Sequence, residues 1–548
     1  MARTAQSPLP AEIAQRTVRD LLDHQAAHNP QRTAVIAESM VSGAEERLTY
    51  AGLRDGAQRL AAVLAAAGVG RGDRVAILLT NEAGAEAHTA YHASHRIGAI
   101  NVPLNTRYVE RELAYALEFT APAAIVFEPR FAEVLGRLRA TLAGALLLEV
   151  ADAPALGTSL AAAMAAAAPA PRAVKLSEDD DADWIFTSGT TGKPKAVALT
   201  HGASVACGHQ ATNVWGLDGE SVYQSFAPFF TSSGCHTNLL ACLAAGCAYV
   251  VEREFDVRGT LERMARHGTT SAFLISSVLA LMFARLTPEE WAAIDLPKLR
   301  RVVYGAQPMG PAFYERVWRE VGQAWDVELV NVYGLTEGGT SGIILTDEDH
   351  PEALKRIGSY GLSIGRTPFA PWVDYAVLGL DDAPVAPGDV GELCLRGPST
   401  MSRYVRDPEA TEATLRGGWL RTGDMAIVDD AGFVYYVDRA KQIIRRGGLN
   451  ISSAEVEGVL EEHPGVAEVA AVPMPNDVLG EDVRAVVVAS GDPPPTAEEL
   501  IAFCRERLAD YKVPRRIDFI DALPRNAMGR VMKPALTGQG AALHGSTR

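Results

Sequence analysis

The sequence predicts an α/β protein of at least two domains, and three observations carry that reading. At 548 residues the chain is too long for one ordinary hydrophobic core. Its early part alternates helix-like and strand-like apolar patterns, which is the mark of helices packed on a mostly parallel sheet. Near residue 436 the pattern changes to short elements with clear caps. A hydrophobic content of 48% beside 22% charged residues is that of a globular chain, not a disordered one.

Along the chain, the opening MARTAQSPLPAEIAQRTVRD has no apolar h-region, so no secretory signal is visible and cytoplasmic residence is the default expectation. Asp55 to Ala67 reads as an amphipathic helix ended by Gly68 and Gly70, with Arg74 to Leu79 following as a buried strand. Residues 153–173, with the run AAAMAAAAPAPRA, read as a surface insertion of low information. Leu239 to Val251 is the longest apolar run; it has the length of a core element and is too short to span a bilayer, so no integral membrane segment is expected. Past residue 436, Ser452 and Glu455 form a capping box ahead of Val456, Val459 and Leu460, and Thr496 with Glu499 does the same for Leu500, Ile501, Cys504 and Leu508. Strand-like runs at 469–472 and 483–488 lie between them, so a small α+β domain is expected.

A net charge of −16 argues against a nucleic-acid or anionic-membrane partner, which would call for a broad basic face. The six cysteines (Cys207, Cys235, Cys242, Cys247, Cys394, Cys504) form no C-x-x-C pair and sit mostly among apolar neighbours, so buried reduced thiols are expected.

The strongest local signal is the stretch from Thr187 to Lys195, TSGTTGKPK, directly after the apolar Trp184-Ile-Phe186. Gly189 and Gly192 let backbone approach an anion, Thr187, Ser188, Thr190 and Thr191 offer hydroxyl donors, and Lys193 and Lys195 bring charge. The two glycines are three apart and Pro194 follows Lys193, so the Walker spacing is absent and an ordinary P-loop is disfavoured. The plain alternative is a Gly/Thr-rich surface turn.

TSGTTGKPK closely resembles the phosphate-binding loop of the adenylate-forming superfamily, which holds acyl-CoA synthetases, luciferases and peptide-synthetase adenylation domains. Four further stretches match in order. Tyr304 to Met309, with Gly305, Ala306 and Gln307, is similar to the family's adenine-binding segment. Asn331, Val332, Tyr333, Gly334, Leu335, Thr336 and Glu337 resemble its Y-G-x-T-E motif. Trp419 to Asp424 resembles the ribose-binding motif, and Asp438-Arg439 the hinge motif. The likeness runs from about Thr17 to Lys533. It implies a large N-terminal domain of two helix-flanked β-sheets plus a β-barrel (residues 1–437), a hinge (438–441) whose rotating residue is Lys441, and a small mobile C-terminal lid (442–548).

The resemblance also implies roles. Thr336 would bond the α-phosphate and Glu337 would help hold Mg²⁺, a hard cation that prefers carboxylate and phosphate oxygens. Asp424 would accept both ribose hydroxyls, with Arg439 and Tyr436 beside the nucleotide. Lys195 joins the catalytic set. The expected reaction joins a carboxylic acid to coenzyme A: ATP gives an acyl-adenylate and pyrophosphate, and the acyl group then passes to CoA. In the family a lysine near the C-terminus contacts carboxylate and phosphate; here Arg530 stands at that place, in Pro524-Arg-Asn-Ala-Met-Gly-Arg530-Val-Met-Lys533. Arginine keeps the charge but is planar and bulkier. Either Arg530 does the lysine's work, which is the preferred reading, or Lys533 reaches in, or adenylation is impaired. Arg445, Arg446, Gly447 and Gly448 resemble the segment that faces CoA, although exposed arginines on a glycine turn are a fair alternative.

Substrate choice is poorly encoded. The resemblance assigns Phe229, Phe230, Thr231, Asn238 and Gly338 to the acyl pocket, with Gly305, Val332 and Gly334; Thr231 stands where many relatives carry histidine. His236 reads as a satisfied core imidazole rather than a cation for a dicarboxylate. The runner-up is an adenylating domain loading a carrier protein, against which the segment 230–234 lacks an acid to hold an amino group and no carrier module follows. A luciferase-like oxygenase and a catalytically dead nucleotide binder remain, the latter favoured only by Arg530. A homodimer is no more than a default.

Overall fold

The computed structural model describes residues 6–537 apart from 168–173, 188–193, 254, 307–310, 341, 358–361, 380, 440–442, 447–448, 477, 492 and 526–530. A nine-stranded sheet is parallel through its centre, where Ala248–Val251, Val222–Ser225, Ser271–Phe273, Arg301–Gly305 and Glu328–Gly334 lie in that order. Gly342–Leu345 then adds antiparallel to Glu328–Gly334. An eight-stranded sheet holds Arg74–Leu78 between two parallel neighbours, Ile100–Pro103 and Ala124–Phe127. Its other side ends on the antiparallel hairpin Asp181–Thr187 and Lys195–Thr200, with Arg403–Tyr404 at the edge. Helices Tyr50–Ala66, Gly84–Arg96, His201–Trp215 and Leu239–Ala245 pack against one another, and their apolar faces join both sheets in one core. A six-stranded antiparallel sheet, including Val390–Arg396, Trp419–Val428 and Val434–Arg439, stands where the resemblance puts the β-barrel.

The small domain is a five-stranded sheet covered by helices Ser453–Glu461 and Ala497–Arg505. Its own core gathers Ile444, Leu460, Val483, Ala485, Val487 and Leu500. Across both domains the six cysteines are buried free thiols.

Several elements differ from the sequence reading. The helix read from Asp55 starts at Tyr50, because the Thr49 hydroxyl caps it there by accepting from Gly52 N–H. The apolar run 239–251 divides into a helix and a strand at Gly246, whose φ of +75° ends the helix in the left-handed region. The stretch 153–173 is not featureless: Ser159 caps the helix Leu160–Ala165, and Leu160 enters the core. The capping box at Thr496 and Glu499 is present. At Ser452 only half of it forms, because Glu455 bonds Lys512 instead.

Candidate active site

Thr187 pairs with Lys195 at the end of the antiparallel strands Asp181–Thr187 and Lys195–Thr200. Ser188, Gly189, Thr190, Thr191, Gly192 and Lys193 lie outside the described residues. Lys195 Nζ lies 3.3 Å from Asp407 Oδ2 and 4.8 Å from the centre of the Tyr404 ring. The Ala410 amide, and after it Lys195, holds the Asp407 carboxyl below its usual range. Tyr404 OH donates to Glu337 Oε1 at 2.8 Å. Tyr404 thus links Lys195 to Glu337 across segments far apart in sequence.

Strand Glu328–Gly334 leads into the turn Thr336–Gly338. Gly339 follows with φ +64°, and a Cβ there would overlap Ser399 O, so glycine is required. Met401 N–H donates to Glu337 O at 2.8 Å and Ser399 Oγ to Gly338 O at 2.9 Å, which fixes the turn. Thr336 Oγ1 shares a 3.0 Å hydrogen bond with Ser232 Oγ. Thr231 caps the π-helical turn Ser232–Asn238, accepting from Gly234 N–H and donating to Pro228 O.

Tyr333 OH donates to Asp424 Oδ2 at 2.6 Å. Burial first, and the Asp424 carboxylate second, push the Tyr333 phenol well above its ordinary range, so it stays a donor. The Asp424 backbone pairs with Arg439, and Ala426 with Tyr436. Gly305 lies beside Val332, and Tyr304 beside Asn331. Gly305 has φ +139°, and a Cβ there would run into Val332 O. Ala306 is exposed at φ +71°; Gln307 lies outside the described residues.

The acyl-pocket candidates divide. Thr231 and Gly338 border the Thr336 turn. Phe229 packs edge-on against His88 and Tyr91, and Phe230 is buried. Asn238 accepts from Trp215 Nε1 and Tyr223 OH and donates to Ser225 Oγ, so its amide is used by the fold. His236 is a core imidazole, 2.9 Å from Ser204 Oγ, and burial pushes it down to about 4.

Sequence reasoning missed Asp183, four residues before Thr187. Its carboxylate is fully buried and accepts from Asn101 Nδ2 at 3.0 Å, Tyr91 OH at 3.3 Å and Ser204 Oγ at 3.3 Å, with His95 Nε2 at 3.4 Å. Burial alone would raise this carboxyl, but His95, His236 and Asn101 hold it at about 2. The available signal was an acid directly ahead of the apolar run Trp184-Ile185-Phe186. Tyr404 and Asp407 had no such signal.

Where the small domain begins, Asp438, on the strand Val434–Arg439, accepts at Oδ2 from Ser453 N–H at 2.7 Å and Ser453 Oγ at 2.6 Å. Lys533 Nζ is 2.7 Å from Glu457 Oε1 and also donates to Ser453 Oγ. Arg446 is ion-paired to Asp482. The Arg445 backbone pairs with Asn450. Lys441, Gly447, Gly448 and Arg530 lie outside the described residues.

Among the described residues no helix is long and apolar enough to cross a membrane. The sequence model of the AMP-binding enzymes matches residues 22–405, and that of the AMP-binding enzyme C-terminal domain matches 455–530. The chain is 35% identical to a 3-[(3aS,4S,7aS)-7a-methyl-1,5-dioxo-octahydro-1H-inden-4-yl]propanoyl:CoA ligase of Mycobacterium tuberculosis, over 95% of this chain and 98% of that one. It is 31% identical to the long-chain-fatty-acid–CoA ligase FadD13 of the same species, over 95% and 97%. Among solved structures it resembles the o-succinylbenzoate CoA synthetase MenE of Bacillus subtilis in complex with its acyl-adenylate, at TM-score 0.81 and 28% identity over 94% and 97%.

Proposed function

The chain belongs to the AMP-binding enzyme family, and from that membership we propose the following reading of its site: an ATP-dependent carboxylic acid–CoA ligase working through an acyl-adenylate. The convergence of Lys195, Tyr404 and Glu337 beside Thr336 carries it, because it sets the hairpin against the turn. A carboxylate oxygen of the acid attacks the α-phosphorus, the bond to the β-phosphate oxygen breaks, and pyrophosphate leaves. The CoA sulfur then attacks the acyl carbon, its thiol proton passes to solvent, and AMP leaves.

The protein holds two anions together and offsets charge building at phosphorus. Thr336 donates to the α-phosphate, Lys195 and the residues Ser188 to Lys193 hold the outer phosphates, and Asp424, held by Tyr333, accepts the ribose hydroxyls. Glu337 spends one oxygen on Tyr404 and keeps a second, half-buried carboxylate oxygen of the kind a hard cation favours, so the residues fit Mg²⁺. Bound there, Mg²⁺ supplies charge neutralisation at the phosphates.

Arg530 serves as the cation of the adenylation step. The Lys533 alternative is disfavoured, since Lys533 is already engaged by Glu457 and Ser453. Arg446 is likewise held by Asp482, which leaves Arg445, Gly447 and Gly448 as the CoA candidates. The lid turns about 438–441, with Lys441 as the rotating residue, and the protein resides in the cytoplasm. Pyrophosphate release across a carboxylate panel, with and without CoA, tests this. CoA-dependent turnover supports the ligase, and silence with every acid rejects it. Arg530→Ala should lower adenylate formation far more than thioester formation from supplied adenylate; equal losses would reject its role.

A further inference from the structure

On the His201–Trp215 helix, Gln210 is 1% exposed, and neither its amide oxygen nor its amide nitrogen has a partner among the described residues. A buried amide without partners is costly, so such a group points to something that binds it. Its surroundings say where. Asn213 and Val214, three and four residues on, share its helical face and line a cavity of about 320 Å³ with Ile344, Phe369 and Ala370. Three residues back, Cys207 lies 3.7 Å from Thr237, which bonds Thr340, four residues past Thr336. The face carrying Gln210 therefore runs from the catalytic turn to the cavity.

The opposite wall agrees. Val332 pairs with Ile344 and Gly334 with Gly342, and alternation puts all four on one face of the sheet. Tyr333, between them, points the other way to Asp424. The glycine pair leaves the wall bare next to Thr336, and the cavity opens about 7 Å farther on, two residues of extended chain.

We infer that Gln210 is a specificity-determining residue that hydrogen-bonds an oxygen on the distal part of the acid, a ring ketone or hydroxyl, while an apolar ring fills the slot and the cavity. The amide can both donate and accept, so either oxygen type is served. This rests on the ligase reading above.

The test compares 3-(4-oxocyclohexyl)propanoate with 3-cyclohexylpropanoate, and 4-hydroxycinnamate with cinnamate, by kcat/KM for pyrophosphate release. Wild type should prefer the oxygenated acid of at least one pair, and Gln210→Leu should reduce that preference at least tenfold. Gln210→Leu should also melt no lower than wild type, since it removes an unpaired amide. An unchanged preference, or a lower melting temperature, overturns the inference while the ligase reading stands. No pyrophosphate from any acid of the wider panel overturns the ligase reading itself.

Discussion

The Asp183 network of the large domain and the root of the small domain are held by buried side chains of different reach. In the large domain, positions are set by sheet pairing and by fully buried polar groups: Asp183 gathers Asn101, Tyr91, Ser204 and His95, and Ser204 passes the contact to His236 on the pocket segment. At the root of the small domain a few side chains around Asp438, Ser453, Glu457 and Lys533 make the connection. Both are buried, but the first ties strands and helices of one core together, whereas the second joins only the strand Val434–Arg439, the helix Ser453–Glu461 and Lys533, and a connection of that small reach is suited to a part that must turn. Mutations in the first region should therefore act through stability, and in the second through the balance of half-reactions.

The largest effect is expected at Asp183. Asp183→Leu strands several buried donors and should cost about 3 kcal/mol or more of stability, read by denaturant unfolding. A loss under about 2 kcal/mol would place this network on a par with the lid-root contacts. Next, Asp424→Ala should lower kcat/KM for ATP by about 100-fold, roughly 2.7 kcal/mol, under conditions where the variant, which leaves the Tyr333 hydroxyl without this acceptor, is still fully folded.

Acid should act on the large-domain core in two steps. Burial holds His88 and His236 at about 4 and His201 at about 3, so all three are neutral in the fold. The unfolded chain takes up these protons near pH 6.5 and so binds more of them between about 6.5 and about 4. Stability falls as pH falls through that window, by about 1.4 kcal/mol per histidine per pH unit. Asp183, held at about 2, loses its contribution only below its unfolded value of 3.8. His236→Leu should flatten the slope by one proton; an unaltered slope would contradict the assignment.

The smallest effect is expected at the lid root. Lys533→Met strands the buried Glu457 carboxylate, should cost about 2 kcal/mol, and should leave adenylation within a few-fold. A loss of adenylation by orders of magnitude would make Lys533 the catalytic cation instead.

Much of the site was legible because its signals are local. TSGTTGKPK, the Thr336-Glu337 pair and Asp424 each lie in or at the end of a strand whose residues announce it, and a cap such as Thr496 with Glu499 needs only four residues. Tyr404 and Gln210 were not legible, since nothing in their neighbours distinguishes them from packing residues. Ser452 shows the limit within a local motif: the cap formed, but Lys512, 57 residues from Glu455, took the second half.

The sequence by itself determined the family's motifs in their order, and with them the adenylating chemistry, because each motif is a short run whose backbone shape and charge are set by its own residues. Only the tertiary structure decided that Asp183 would gather His95 and Ser204, that Tyr404 would link Lys195 to Glu337, and that the Gln210 amide would be buried without a partner among the described residues. These pairings join residues from tens to hundreds of positions apart, and burial, which gives them their energy, exists only once the sheets have closed on the helices between them.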